Sequence, residues 1–177
     1  MTEIIEKVER EEIISLYDDR DEPSAFYCGK VLSMNETHVL LEHFDKMGRY
    51  SGYILLKNEN IFRVNRGGQY EVARSDLAKA FPKKHDLTVT PSALLYDLIS
   101  YAKEKELVLL IELCESASDD TQGVVAEFSD KSITLDCVDD YGVSDGVCTV
   151  FLEDITVLKC DTTPCQIVKA LMQLSST

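Results

Sequence analysis

The residues of this 177-residue chain that could act as nucleophiles or metal ligands are mainly its cysteines and histidines. The six cysteines form no C-x-x-C pair or other common zinc spacing, which predicts free thiols and neither a metal site nor a bound cofactor; they are Cys28, Cys114, Cys137, Cys148, Cys160 and Cys165. His38 and His43 lie five residues apart on a predicted strand, so their side chains point to opposite faces and cannot hold one metal together. No serine or cysteine lies in a recognisable nucleophile motif. The sequence therefore predicts that the protein is not an enzyme.

Acidic residues occur at the entrance of two loops that resemble each other. Asp45 and Asp139 each precede a glycine by three residues. An aspartate at such a position can accept hydrogen bonds from backbone amides two residues further on, so we expect both to close turns. The cluster of Asp139, Asp140 and Asp145 lacks the alternating oxygen ligands and the distal glutamate of a calcium loop.

A group of basic and aromatic residues in the first half has the composition of a single-stranded RNA surface. Aromatic rings can stack on unpaired bases, and cations attract the phosphates. The basic and aromatic candidates for RNA binding are Arg49, Tyr50, Lys57, Arg63 and Arg66. The same basic stretch could instead dock on the acidic second half of the chain.

The charge of the chain is distributed unequally. The formal net charge is −14; residues 1–88 carry 13 basic and 16 acidic residues, whereas residues 89–177 carry 5 and 16. A surface this acidic repels phosphate backbones and anionic lipids, so the charge disfavours RNA binding and membrane binding, above all for the second half. The N-terminal sequence is too acidic for a signal or transit peptide, and we expect a cytoplasmic protein.

An internal duplication relates the two halves. Shifting the chain against itself by 94 residues aligns at least ten identical residues without a gap, from Glu12 with Glu106 to Ile61 with Ile155. They include three glycines (Gly29, Gly48 and Gly52) at the same spacing in both copies. Two copies are too few for a solenoid, so each copy should form a small core of its own. In this alignment Cys137 and Cys148 fall on packing positions, which predicts that Cys160 and Cys165 are the more exposed thiols.

Alternating apolar residues predict five short strands in each copy. In the first copy these are EIISLY, AFYCGKVLS, HVLLEHF, GYILL and IFRV, and in the second ELVLLIEL, GVVAEF, SITLDCV, GVCTVF and ITVLKC. The glycines at the third connection of each copy (Gly48, Gly52, Gly142 and Gly146) suit turns with positive φ. Five antiparallel strands favour a small closed barrel, because closure removes exposed strand edges.

Helices are predicted before and after each set of strands. TPSALLYDLISYAKEKE offers Thr90 as N-cap and Pro91 at the first helical position. Ile4, Ile5 and Val8 indicate a matching helix at the start of the chain. QYEVARSDLAKAF and TPCQIVKALMQL, the latter capped by Thr163, predict a further helix after each copy. We place the domains at residues 1–83 and 84–177, joined by a linker at 82–90.

The order of these elements resembles the Sm-like fold, which is best known from RNA-binding rings. A helix precedes five strands, a glycine lies in the second strand, and a polar-x-Asn-Ile corner precedes the fifth. The resemblance covers roughly residues 2–66 and 92–160. It implies two tandem five-stranded Sm-like or SH3-like small barrels, each preceded by a helix, in a mainly β protein.

The nucleotide-binding motifs of that family are only partly present. In GKVLSMNETHV, Asn35 stands where the family has Asp, and Val39 stands where it has Asn. The second motif, LKNENI, keeps Lys57 and Asn60 but has Asn58 in place of the glycine; the second copy reads VFLEDI, without the basic residue. The resemblance thus implies an RNA site in the first copy alone.

The sequence as a whole indicates a non-enzymatic binding, scaffolding or regulatory protein. Duplication without catalytic residues, together with the acidic second copy, predicts a protein partner with a basic surface. RNA binding through the first copy is an alternative, and a small-molecule or metal sensor between the barrels is a second. Sm-like proteins assemble by pairing strand edges, so a homo-oligomer is a further alternative to a monomer.

Overall fold

The structure is a computed structural model that describes residues 5, 8, 11–81, 86–114, 116 and 120–175. The chain divides into two compact units, residues 1–94 (unit 1) and 95–177 (unit 2). The boundary predicted from the sequence, at residues 83 and 84, lies in a segment of which 82–85 are outside the described part. Ile4, part of the predicted N-terminal helix, is also outside it, whereas Ile5 is helical and buried.

Unit 1 contains five antiparallel strands in the row β5-β1-β2-β3-β4. The strands are β1 (Ile13–Tyr17), β2 (Tyr27–Met34), β3 (His38–Phe44), β4 (Tyr50–Lys57) and β5 (Arg63–Arg66). β1 is buried along its whole length because it lies between β2 and β5. Each strand overlaps one that the alternation of apolar residues predicts.

Unit 2 repeats this order as β10-β6-β7-β8-β9. The strands are β6 (Val108–Leu113), β7 (Thr121–Phe128), β8 (Ser132–Val138), β9 (Ser144–Phe151) and β10 (Ile155–Cys160). The bulges repeat as well: the register shifts after Val31 in β2 and after Val125 in β7, which lie 94 residues apart.

The prediction of a mainly β protein is confirmed. The strand pairs described within each unit are all antiparallel. In neither unit does a pairing between described residues join the first strand of the row to the last, so the sheets are not closed. The two closed barrels predicted from the sequence are therefore not confirmed.

Three α-helices accompany the described strands: α1 (Gln69–Lys79), α2 (Leu94–Glu104) and α3 (Thr163–Ser175). Pro91–Ala93 form a 3₁₀ turn before α2, with Thr90 at the predicted cap position but without a side-chain capping bond. None of the helices in the described part of the chain has the length and apolar character needed to cross a membrane.

The hairpin turns that follow β3 and β8 have the same hydrogen bonds. Asp45 Oδ1 accepts from the backbone N–H groups two and four residues further on, at 2.8 and 3.0 Å. Asp139 Oδ1 accepts the equivalent pair at 2.9 and 2.8 Å. The predicted turn-closing role of both aspartates is confirmed. The four predicted glycines all have positive φ, between 74° and 85°.

The last helix of each unit packs directly on this turn. A Cβ added at Gly48 would lie 2.4 Å from Leu77 Cβ of α1, and one added at Gly142 would lie 2.5 Å from Met172 N of α3. Cβ atoms in proteins essentially never come this close to another heavy atom. The helix can therefore occupy this position only because the turn carries no side chain there.

Small apolar clusters lie beneath the two helices. In unit 1 the cluster consists of Ile13, Cys28 and Phe44, with Phe26, Tyr70 and Ala78 packed against it. In unit 2 it consists of Val108, Leu110, Val138, Cys165 and Val168, with Val124 and Met172 against it. Position 44 of the first copy corresponds to position 138 of the second, so an aromatic residue is replaced by an aliphatic one at the same place.

Two glycines of one hairpin allow the helix contact to be tested. Gly142 and Gly146 both have positive φ, but a Cβ at Gly146 would meet no atom within 4 Å. We expect Gly146→Ala to lose about 1 to 2 kcal/mol of unfolding free energy from backbone strain alone. Gly142→Ala should lose about 1 to 3 kcal/mol more, because α3 must also move. Urea denaturation of both variants measures the difference, and equal losses would contradict the helix contact.

Candidate functional site

The residues predicted to bind RNA do not form one site. Arg49 and Tyr50 lie at the start of β4, and Lys57 lies at its end. An extended strand rises about 3.3 Å per residue, so the two ends of β4 are roughly 20 Å apart. The predicted residues therefore fall into separate groups on unit 1.

Lys57 and Asn60 form part of a turn. Asn60 is buried, and its N–H donates to Lys57 O at 3.3 Å. Next to it, Asn58 Nδ2 donates to Asn35 O at 2.8 Å and so joins this turn to the one between β2 and β3. Asn60, which the Sm-like resemblance assigns to nucleotide binding, and its neighbour Asn58 thus make contacts within the unit itself.

Arg49 and Arg66 are held by carboxylates of unit 1. Arg49 Nη2 lies 2.9 Å from Asp45 Oδ2, and Arg66 donates from Nε and Nη2 to the two carboxylate oxygens of Glu12 at 3.0 and 2.8 Å. Burial alone would raise the pKa of Asp45, but hydrogen bonds from the backbone and side chain of Arg49 and from the amide of Met47 hold it below its ordinary value. Both guanidinium groups thus have intramolecular counter-ions.

Arg63 and a residue that the sequence did not indicate, Arg20, share an aromatic surface. The guanidinium carbon of Arg63 lies 4.3 Å from the Tyr17 ring centroid, and that of Arg20 lies 5.3 Å from the Phe62 ring centroid. The two ring centroids are 6.4 Å apart. Arg20 is exposed, and no carboxylate of a described residue forms an ion pair with either arginine. Sequence reasoning missed Arg20 because it lies far from Arg63 in the sequence and comes close to it only in the folded unit.

The outer strand of unit 2, β9, exposes apolar side chains. Among the described residues of unit 2, β9 pairs with β8 alone, so one of its sides is an open edge. Val147 and Phe151, on the same face of the strand, are 69% and 60% exposed, and Tyr141 and Val143 in the preceding turn are 75% and 53% exposed. An open edge with exposed apolar side chains can pair with an extended segment of another chain.

Carboxylates surround this edge. Asp145 lies on β9, Asp136 lies opposite Val147 on β8, and Glu153 and Asp154 follow β9 directly; all four are exposed. An acidic pocket of about 540 Å³ adjoins the strand, lined in part by Asp120, Asp139, Asp140, Asp145, Val147 and Cys148. A segment that pairs with β9 would therefore meet negative charge on several sides.

The cysteines differ from the prediction in their exposure. All six are free thiols, but Cys160 and Cys165 are buried, and Cys114 is the exposed one. The prediction for Cys160 and Cys165 is wrong because Cys160 lies inside the β6–β10 pair and Cys165 lies on the buried face of α3. Burial raises the pKa of Cys28 to about 11 and that of Cys160 well above its ordinary value, so neither is a reactive thiol at neutral pH.

No group of three His, Cys, Asp or Glu side chains in the described part of the chain is placed to hold a metal ion. His43 Nδ1 lies 2.9 Å from Cys28 O, and His38 Nδ1 lies 2.8 Å from Thr37 Oγ1. Comparisons of the chain with known protein families, with curated proteins and with solved structures found no match.

Lys57 lies directly opposite His38 across the β3–β4 pair. Burial first, and then the Lys57 ammonium, lower the pKa of His38 below its ordinary value. We expect Lys57→Met to raise the pKa of His38, because it removes a like charge from beside the imidazolium. Titration of the His38 ring followed by NMR measures this shift.

Lys46→Met, at the far end of the same hairpin, is the matched control and should leave the pKa of His38 unchanged. A lowered pKa means that the folded protein binds the proton less readily than the unfolded chain does. The contribution of His38 to stability is therefore complete above about pH 6.5 and is lost as the pH falls through its folded pKa. An unchanged pKa of His38 in Lys57→Met would contradict the assignment.

Proposed function

We propose that this protein is a non-enzymatic, cytoplasmic interaction module, and that unit 2 binds an extended, basic segment of a protein partner along β9. The observation that carries the proposal is the open edge of β9 with exposed Val147 and Phe151 and with carboxylates on β9, on β8 and after the strand. Main-chain hydrogen bonds along the edge would supply affinity, and alternate side chains would supply specificity. The carboxylates would select Lys and Arg on the partner and would speed association.

The proposed architecture behind this module is a pair of Sm-like units. Three features support it: five strands in the same order in both units, a glycine in β2 and in β7, and the corner before β5 and β10. A fold does not carry its function with it, so the resemblance does not decide what β9 binds.

Selection of random peptides, each long enough to span β9, on the immobilised full-length chain tests the proposal. We expect enriched peptides to alternate apolar residues and to contain Lys or Arg. Val147→Lys should weaken their binding at least tenfold, because it places a like charge at the centre of the edge. Val72→Lys is the matched control: Val72 is exposed on α1 of unit 1, and its replacement should leave binding unchanged.

Two outcomes would overturn the proposal. Enriched peptides that bind Val147→Lys and the unchanged chain equally would show that β9 is not the binding surface. Light scattering of the free protein tests whether it forms an oligomer. An oligomer that dissociates in Val147→Lys would mean that a second copy of the chain, and not a different partner, occupies β9.

RNA binding by unit 1 is a second candidate function, which the Arg20 and Arg63 pair supports. Both guanidinium groups lie over aromatic rings without a carboxylate partner among the described residues, and such a surface can accept phosphates and unpaired bases. The net charge opposes this function, so we expect binding only at low salt.

Fluorescence anisotropy with labelled oligouridine measures this binding. The double variant Arg20→Glu, Arg63→Glu should weaken it at least tenfold. Arg49→Glu should have little effect, because Arg49 is already neutralised by Asp45 at the other end of β4. Absence of binding by the unchanged protein at low salt would eliminate the RNA hypothesis, as would equal losses in both variants.

A further inference from the structure

A groove lies between α3 and the strands β7, β8 and β9 of unit 2, with a volume of about 890 Å³. We call it the α3 groove and define it by Glu106, Val124, Val138, Val143, Ser144 and Met172, all of which line it. Apolar side chains of Val124, Val138, Val143 and Met172 form part of its lining, and the carboxylates of Glu106 and Asp136 also line it, as does Lys169. The groove opens beside the first residue of β9.

The duplication shows what would fill this space. The residues of unit 1 that correspond to Val124, Val138 and Ser144 are Lys30, Phe44 and Tyr50. Phe44 is 4% exposed, and the Lys30 ammonium lies 5.8 Å from its ring centroid.

Unit 1 has a pocket of about 250 Å³ at a different place, beside α1 and the start of β1, which shares only the positions of Glu12, Ser75 and Lys79 with the α3 groove. Met172 and Lys169 are larger than their counterparts Ala78 and Ser75, but they belong to the helix side of the groove. On the strand side, unit 2 carries smaller residues, including Val for Phe and Ser for Tyr.

The hairpin turn beside the groove has the same form in both units. The turns beside Gly48 and Gly142 have the same hydrogen bonds, and the last helix contacts each glycine. The smaller side chains on the strand side of unit 2 therefore leave space beneath α3. The space that the Phe44 ring occupies in unit 1 is only partly filled by Val138 in unit 2, which leaves room beside apolar side chains for an aromatic ring.

We infer that the α3 groove binds an aromatic side chain of the partner segment that pairs with β9, next to a Lys or Arg of that segment. This inference rests on the proposed function. Continuity favours a partner side chain over a free small molecule, because Val143 and Ser144 line the groove and lead directly into the proposed edge. The carboxylates of Glu106 and Asp136 account for the adjacent basic residue.

Filling the groove from within the chain tests the inference. Val138→Phe and Ser144→Tyr introduce the residues that unit 1 has at these two positions. Circular dichroism with thermal unfolding verifies that both variants fold.

The first probe is N-acetyl-phenylalanine amide, with N-acetyl-leucine amide for comparison. The aromatic amide should shift the methyl NMR signals of Val124, Val138 and Met172 saturably in the unchanged protein. Its affinity should fall at least tenfold in both filled variants, whereas Ser92→Tyr, on an exposed residue of unit 1, should retain it.

The second probe is the set of peptides selected on β9. Replacing their aromatic residue by Ala should weaken binding at least tenfold in the unchanged protein and hardly at all in the filled variants. Peptides that bind β9 without an aromatic residue, and that bind Ser144→Tyr equally well, would overturn the inferred role of the groove. The proposed function would still stand. If the amide binds the groove but no peptide binds β9, the groove serves a free small molecule, and both the partner side chain and the proposed function are wrong.

Discussion

The contact between the last helix of each unit and the bare backbone of a hairpin turn is the constraint on which the rest of each unit depends. The turn is closed by Asp45 or Asp139, and a glycine with positive φ lies three residues later. A side chain at that glycine would collide with the helix, at 2.4 Å in unit 1 and 2.5 Å in unit 2. The helix is thereby held close to the turn in each unit. Once its position is set, the size of the side chains beneath it decides whether the space is filled or open.

The two units use the same arrangement with different interiors. Beneath α1, Ser15 Oγ donates to Glu71 Oε1 at 2.6 Å, and the Arg74 guanidinium lies 4.5 Å from the Tyr70 ring centroid. At the positions of Glu71 and Arg74, unit 2 has Cys165 and Val168, which join an aliphatic cluster. Buried polar groups need partners, so the polar interior of unit 1 is closely determined, whereas the aliphatic interior of unit 2 tolerates smaller residues. A duplicated unit can in this way keep its backbone fold while its interior side chains become smaller.

The strands could be predicted from the sequence because their alternation is a local property of the chain. The duplication gave independent support for each strand, and the turn aspartates followed from side-chain chemistry. The side-chain environments were harder to predict because they depend on contacts between distant residues. Cys160 aligns with the exposed Arg66 but is buried, and Arg20 meets Arg63 only through the packing of aromatic rings. The change from Phe44 to Val138 is visible in the alignment, but that it opens a groove depends on where α3 crosses β8.

The charge of unit 2 also restricts what can pair with β9. Pairing of two β9 strands from separate copies would bring two sets of carboxylates together, including Asp145 on the strand and Asp136 beside it. Like charges on adjacent strands are destabilising, and charged side chains on an edge are a common protection against unwanted strand pairing. A basic segment meets no such repulsion and gains attraction from the same residues. In the proposed complex, the acidity of this unit would oppose pairing between two copies of β9 and, at the same time, would select a basic partner segment.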